Sequence, residues 1–349
     1  MEARATQLAD ARPQLDSPLR VGIPVNAPDR KMKQKSDEII GTNTFSPQAL
    51  AVSKKNLYSL VYNAKELDPQ KSKPTSTATN MDHDALIQTS IRDFTTLALS
   101  SKRANKKEVE ATAYASLGVI HDDQGNYHGA INNYELYLQL CEDISDEIGI
   151  ACACNCIGVD YMILANPKCS IFSMQLNDES VAYLNKALEY HMRHAKIGPD
   201  SGAEFVANTN MGLCLAMLGN LNEAAKHHQD ALRVAIKMQT LYGQSIAVGN
   251  LGMLALVKND FATAKTCFDQ HLQLVQALAD YEAEISAWKL LAHLYKLNEN
   301  HIDALGSLNH ARVIAEREGY LNELRRINCL VGLTQGTLDF FNFANSLRT

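Results

Sequence analysis

The chain has 349 residues, 33 basic and 39 acidic side chains for a formal charge of −6, 46% hydrophobic residues and 8 cysteines. It has enough apolar surface for a sizeable core, which excludes a globally disordered chain. No run of about 18 apolar residues stands out, so no membrane-spanning helix is expected. The first residues lack an apolar leader and neither terminus carries a lipidation signal, which predicts cytoplasmic residence with reduced thiols.

Residues 1–80 hold seven of the nine prolines, with 12 basic and 8 acidic side chains, a net +4. Residues 81–349 carry 21 and 31, a net −10. Proline breaks helix interiors, so 1–80 reads as an extended basic arm, whose first 45 residues have few periodic apolar positions and should not fold alone. Leu50, Leu57, Leu60 and Val61 sit at helical spacing, and predict one short helix over 47–67 docked on the first repeat. A basic arm suits an anionic surface such as a microtubule, an acidic protein or RNA; the plainer alternative is a solvated tail. Residues 82–104 read as a single helix, the surviving half of a terminal repeat, with Phe94 at its bulky position.

From residue 114 onward the sequence is periodic. Gly118, Gly158, Gly212, Gly252, Ala292 and Gly332 occupy equivalent places at spacings of 40, 54, 40, 40 and 40. Glycine inside a helix costs about 1 kcal/mol relative to alanine, so its return implies close packing against a neighbouring helix. A second small residue follows twelve positions later (Ala130, Ala224, Ala264, Ala304), and a bulky one four after that (Tyr134, His228, Phe268, Leu308). Ala187, Ala231 and Ala311 fill a further small position. Polar turns separate the two blocks, so each period is helix, turn, helix. The 14-residue excess falls between Met162 and Gly212, where Asn166–Asn177 lengthens the turn of the second unit. Its Ile171, Phe172 and Met174 predict packing on the array or on a partner.

This pattern resembles the tetratricopeptide repeat, Trp-x2-Leu-Gly-x2-Tyr followed by Ala-x3-Phe and Ala. The fifth unit carries it most fully, with Trp288, Leu291, Ala292, Tyr295, Ala304, Leu308 and Ala311. The period of 40 exceeds the usual 34 and is similar to the longer repeats of kinesin light chains, rapsyn and spindle-orientation adaptors. The resemblance implies an all-α, right-handed superhelical solenoid of antiparallel helix pairs over 81–335. It implies first helices on the concave face and second helices on the convex face. The last helix is expected to end near Thr334. Residues 336–349 should then form a capping tail in which Phe340, Phe341 and Phe343 cover the end of the stack; the alternative is a docking peptide.

Catalytic signals are sparse. Cys152 and Cys156 lie i, i+4 and could hold a soft metal with two further ligands, but the same places suit small buried side chains. The histidine pairs, His191 with His194 and His227 with His228, lack acidic partners at ligand spacing. No phosphate loop, nucleophile elbow or zinc-protease motif occurs. The reading is therefore a non-enzyme without cofactor or metal. The acidic body argues against nucleic acid.

The concave groove is where the resemblance places a protein partner, as an extended or helical peptide. Counting from the small anchor gives Asn155, Asn210, Asn250, Lys289, His293 and Lys296 as groove candidates. In the similar adaptors an asparagine in the phase of Asn210 and Asn250 holds a peptide main chain; the alternative is hydrogen bonding between neighbouring helices. The leading reading is an interaction scaffold tethered by its arm. The alternative is a structural component of a cytoskeletal assembly, associated with ciliary or axonemal microtubules.

Overall fold

The protein is described by a computed structural model over residues 80–165, 176–198 and 200–347. The arm with its predicted 47–67 helix, residues 166–175 and Pro199 lie outside the described residues. Within them the chain is an all-α solenoid of twelve helices. A single helix, α1 (Asn80–Arg103), comes first. Five pairs follow: α2 (Lys107–Asp123) with α3 (Tyr127–Ile144), α4 (Glu147–Ala165) with α5 (Asp178–Ile197), α6 (Ser201–Met217) with α7 (Leu221–Lys237), α8 (Leu241–Val257) with α9 (Phe261–Ala277), and α10 (Tyr281–Leu297) with α11 (His301–Arg317). The last helix is α12 (Leu321–Ser346). Each helix packs on its predecessor and successor, and α4 and α8 also touch α6 directly.

The boundaries follow from local chemistry. Asn126, Asn177, Asp200, Thr240, Asp260, Asp280 and Asn300 each accept a backbone N–H three residues on, capping seven helices. Apart from the α5–α6 turn, where Gly198 has φ −52°, and the α4–α5 connection, nine turns share one device, a residue at positive φ. It is Asn105, Ser145, Gln239, Ala279 or Gly319 between units and Gly125, Gly219, Asn259 or Glu299 within them. Paired backbone bonds close each turn, as where Gly125 N donates to Asp122 O and Asn126 N to His121 O, both 2.8 Å.

The repeat glycines are contact points. A Cβ at Gly118 would lie 2.4 Å from the Tyr134 ring, at Gly158 2.6 Å from His191, at Gly212 2.5 Å from His228 and at Gly252 2.7 Å from Phe268. Each first helix thus seats a ring from its partner helix on bare backbone. In the fifth unit Ala292 and the slimmer Leu308 hold the equivalent places, both buried. Ala130, Ala224, Ala264 and Ala304, four residues before the bulky residue, are fully buried. The second unit departs from the sequence reading. Its seated ring is His191, so Ala187 matches Ala130 rather than Ala231 and Ala311. Gly158 and His191 are 33 residues apart where the other anchor and ring are 16 apart, and His191 precedes Gly212 by 21 residues rather than 24. The 14-residue excess is therefore a longer turn partly offset by a shorter approach to the next unit.

Two expectations change. Helix α4 is long and apolar enough, by length and composition, to cross a membrane. It lies between α3, α5 and α6 and is mostly buried, as expected of a core helix that is apolar on every side. At the other end, α12 does not stop near Thr334. It runs through Ser346 as one 26-residue helix. Phe340 and Phe343 are 67% and 62% exposed, and Phe341 only stacks on His301 at 5.4 Å. The phenylalanines therefore leave the end of the stack uncovered.

Candidate partner-binding face

The first helices of neighbouring units meet along one side, and two side-chain bonds mark it. Asn210 Nδ2 on α6 donates to Asn155 Oδ1 on α4 at 2.9 Å. Lys289 Nζ on α10 pairs with Glu323 Oε2 on α12 at 2.8 Å. The face predicted to hold a partner is thus laced together from within. Asn210 and Asn250 are 0% and 2% exposed and do not open onto a groove. Their helices, α6 and α8, are gripped on several sides, so positions facing away from the paired helix are covered by the next unit. Asn155 is half-buried and serves as acceptor in the same bond.

The fifth unit differs. On α10, Lys289 and His293 are half-buried and Lys296 is exposed. Glu323 supplies the acidic end of the pair with Lys289 and also accepts from Arg326 Nη1 at 2.7 Å. Its carboxyl is held low: its own burial opposes ionisation, and the two cations outweigh that. Burial, followed by the charge of Lys296, lowers the His293 pKa, which favours a neutral ring. Of the six predicted groove residues, the structure gathers Lys289, His293 and Lys296 at an accessible surface, with Glu323 beside them. Glu323 was missed because its partner lies 34 residues away, across a unit boundary.

Elsewhere, an open cleft of about 350 Å³ lies between α6 and α7, lined by Glu204, Asn208, Asp230, Arg233, Val234 and Lys237. Asp230 pairs with Arg233, so its charges are balanced. Beside the long turn, Tyr161 stacks between Tyr183 (5.8 Å) and Tyr190 (6.1 Å), with Lys186 Nζ 5.1 Å above its ring. The candidate cysteine pair is not poised to bind metal. Of the pair, Cys156 is buried and Cys152 half-buried, and burial pushes the Cys152 thiol up to about 11, so it stays protonated at neutral pH. Among the described residues no three metal-ligating side chains converge.

Residues 111–144 match the tetratricopeptide repeat family. The matched segment spans most of α2 and all of α3, the first pair. No curated protein matches the chain. Solved structures with a similar fold include aspartyl phosphate phosphatase F from Bacillus subtilis, at 16% identity over 91% of this chain and 77% of that one, TM-score 0.54. Others are the apo form of RapI, at 15% over 90% and 84%, TM-score 0.51, and BtubC (BKLC) from P. vanneervenii, at 16% over 67% and 92%, TM-score 0.50. At such identity they establish the solenoid fold and nothing of this chain's chemistry.

Proposed function

We propose that the protein is a non-catalytic interaction scaffold that binds an acidic peptide segment of a partner at the α10–α12 end of its first-helix face. The observation that carries this is the contrast along that face. Between α4 and α8, Asn210 and Asn250 are buried and Asn155 is bonded to Asn210, whereas on α10 Lys289 and His293 are half-buried, Lys289 paired with Glu323, and Lys296 is exposed. Two ammonium groups on one helix face suit carboxylates. The ordered Lys289–Glu323 pair holds one of them in place, which lowers the entropic cost of binding. In this reading the basic segment 1–80 is a second point of attachment, not part of the peptide site. A cytoskeletal location for the protein would rest on the basic arm, which suits an anionic surface such as a microtubule.

The test is co-purification from native cells, quantified by mass spectrometry, of tagged full-length wild type against Lys296→Glu and a variant lacking residues 1–79. Lys296 is exposed, so its reversal should leave the circular dichroism melt unchanged. A partner captured by wild type and the arm deletion but reduced at least tenfold with Lys296→Glu supports the site. A partner lost only with the arm would refute the site and favour a protein embedded through its arm.

A further inference from the structure

The sixth repeat anchor is exposed where the others are covered. A Cβ at Gly332 would meet nothing within 4 Å, and neither would one at Gly336. In the first, third, fourth and fifth units a turn comes six to eight residues after the anchor; α12 runs through the corresponding place, 338–340, as continuous helix. Its inner face, with Ile327 and Thr334 buried, packs on α11. Its opposite face is an unbroken apolar stripe at helical spacing: Cys329, Gly332, Gly336, Phe340, Phe343 and Leu347, flanked by Leu333. Leu333 and Leu347 are 66% and 71% exposed. This stripe extends over about 27 Å of helix.

The stripe is self-complementary. Gly332 lies four residues before Gly336, and Phe340 lies four after it. Cys329 lies seven before it, and Phe343 seven after. When two copies of α12 run antiparallel about a two-fold axis through Gly336, each Phe340 falls on the partner's Gly332. Each Phe343 falls on the partner's Cys329, and the two Gly336 backbones cross at the point of closest approach. Aromatic-on-glycine packing is the contact that this chain makes internally at Gly118 and Gly252, with imidazoles doing the same at Gly158 and Gly212. Charge does not oppose the pairing. From 329 to 347 the only ionisable side chain besides Cys329 is Asp339, whose Oδ1 accepts from Gln335 Nε2 at 2.8 Å on the flank of the stripe.

We infer that α12 is a homodimer interface, closed by a two-fold axis at Gly336, with Phe340 of each copy seated on Gly332 of the other. Such an isologous contact buries both stripes and terminates at two copies. A single helix pair is at the small end of protein interfaces, so the dimer should depend on concentration.

Sedimentation velocity of the full chain across a concentration series tests this. Wild type should pass from monomer to dimer, and Phe340→Asp and Gly332→Glu should each weaken association at least tenfold with an unchanged circular dichroism spectrum. Both positions face solvent, so neither change burdens the fold. Register is tested by oxidation in a chain whose Cys169 and Cys329 are replaced by Ser. Gly336→Cys should give a disulfide-linked dimer. Gly332→Cys, whose two copies would lie about 12 Å apart along the axis, should not. A wild type that remains monomeric overturns the inference and leaves the stripe to a different protein. Growth beyond two copies overturns the two-fold in favour of head-to-tail stacking. Equal crosslinking at 332 and 336 overturns the register.

Discussion

At the scale of single residues, the repeat works by exchanging a side chain for closeness. Gly252 pays the helical cost of glycine so that Phe268 can sit on the backbone; an added methyl would lie 2.7 Å from two ring carbons and 3.0 Å from Cys267 Cβ. Overpacking of this kind costs about 1–3 kcal/mol, against about 1 kcal/mol gained in helix propensity. Gly252→Ala should therefore destabilise by about 1–2 kcal/mol in urea melts, whereas Gly306→Ala, where nothing lies within 4 Å, should stabilise by about 0.5–1 kcal/mol. Equal effects at the two sites would refute the contact argument. Two of the seated rings are imidazoles. His191 and His228 are fully buried, and neither ring nitrogen of either has a hydrogen-bond partner among the described residues. Burial, with a lesser push from His194 and His227 respectively, lowers both pKa values to about 3. The folded state thus prefers the neutral rings while the unfolded chain takes up protons near pH 6.5. Their contribution is complete above pH 6.5 and lost as pH falls toward 3, at about 2 kcal/mol each by pH 5. His228→Phe, which copies Phe268 at the equivalent place of the next pair, 16 residues after its glycine, should move the acid unfolding midpoint downward. Thermal melts between pH 4 and 8 would read this; an unchanged midpoint would mean that His228 does not set acid sensitivity.

At the scale of elements, the turns carry strain that the sequence does not advertise. Nine described positions have positive φ, and only Gly125, Gly219 and Gly319 are glycine. A left-handed residue with a Cβ costs about 1–2 kcal/mol, partly offset by glycine's greater freedom in the unfolded chain. Ala279 at φ +52° carries no side-chain function, so Ala279→Gly should raise stability by about 0.5–1 kcal/mol in urea melts. The same change at Ala277, the last residue of α9, should lower it. A loss at both sites would show that the turn is unstrained. The same elements show how far the sequence could be read. Helix pairs, anchors and the extra length of the second unit were legible because glycine inside a helix needs a reason and the reason recurs. His191 was not legible as a ring position, because the long turn shifted it by 17 residues against its anchor. Asn210 and Asn250 were assigned to a groove by phase alone. A signal against that was present: α6 and α8 are apolar nearly all round, the composition of helices enclosed by neighbours.

At the scale of the molecule, order passes from one helix to the next rather than through a central core. Helices contact their chain neighbours, α6 also meets α4 and α8 directly, the Lys289–Glu323 pair links α10 to α12, and one apolar cluster runs from α2 through α10. In such a quasi-one-dimensional stack the stability of a unit is its own plus that of its two interfaces. Among the described residues the end helices, α1 and α12, have one helix interface each. Helix α12 buries only Ile327 and Thr334, while α8 buries twelve residues. Native-state hydrogen exchange should therefore show opening from the ends, with α12 exchanging well before α4, α6 and α8. The Phe340→Asp variant is the form to measure, since pairing through α12 would protect that helix. Protection in α12 equal to that in α8 would mean the array opens as one unit. A graded profile would mean that the Lys289–Glu323 bridge, between α10 and α12, lies on a part of the stack that opens without global unfolding, so the accessible lysines of α10 would sit where a bound peptide could stabilise the end it binds.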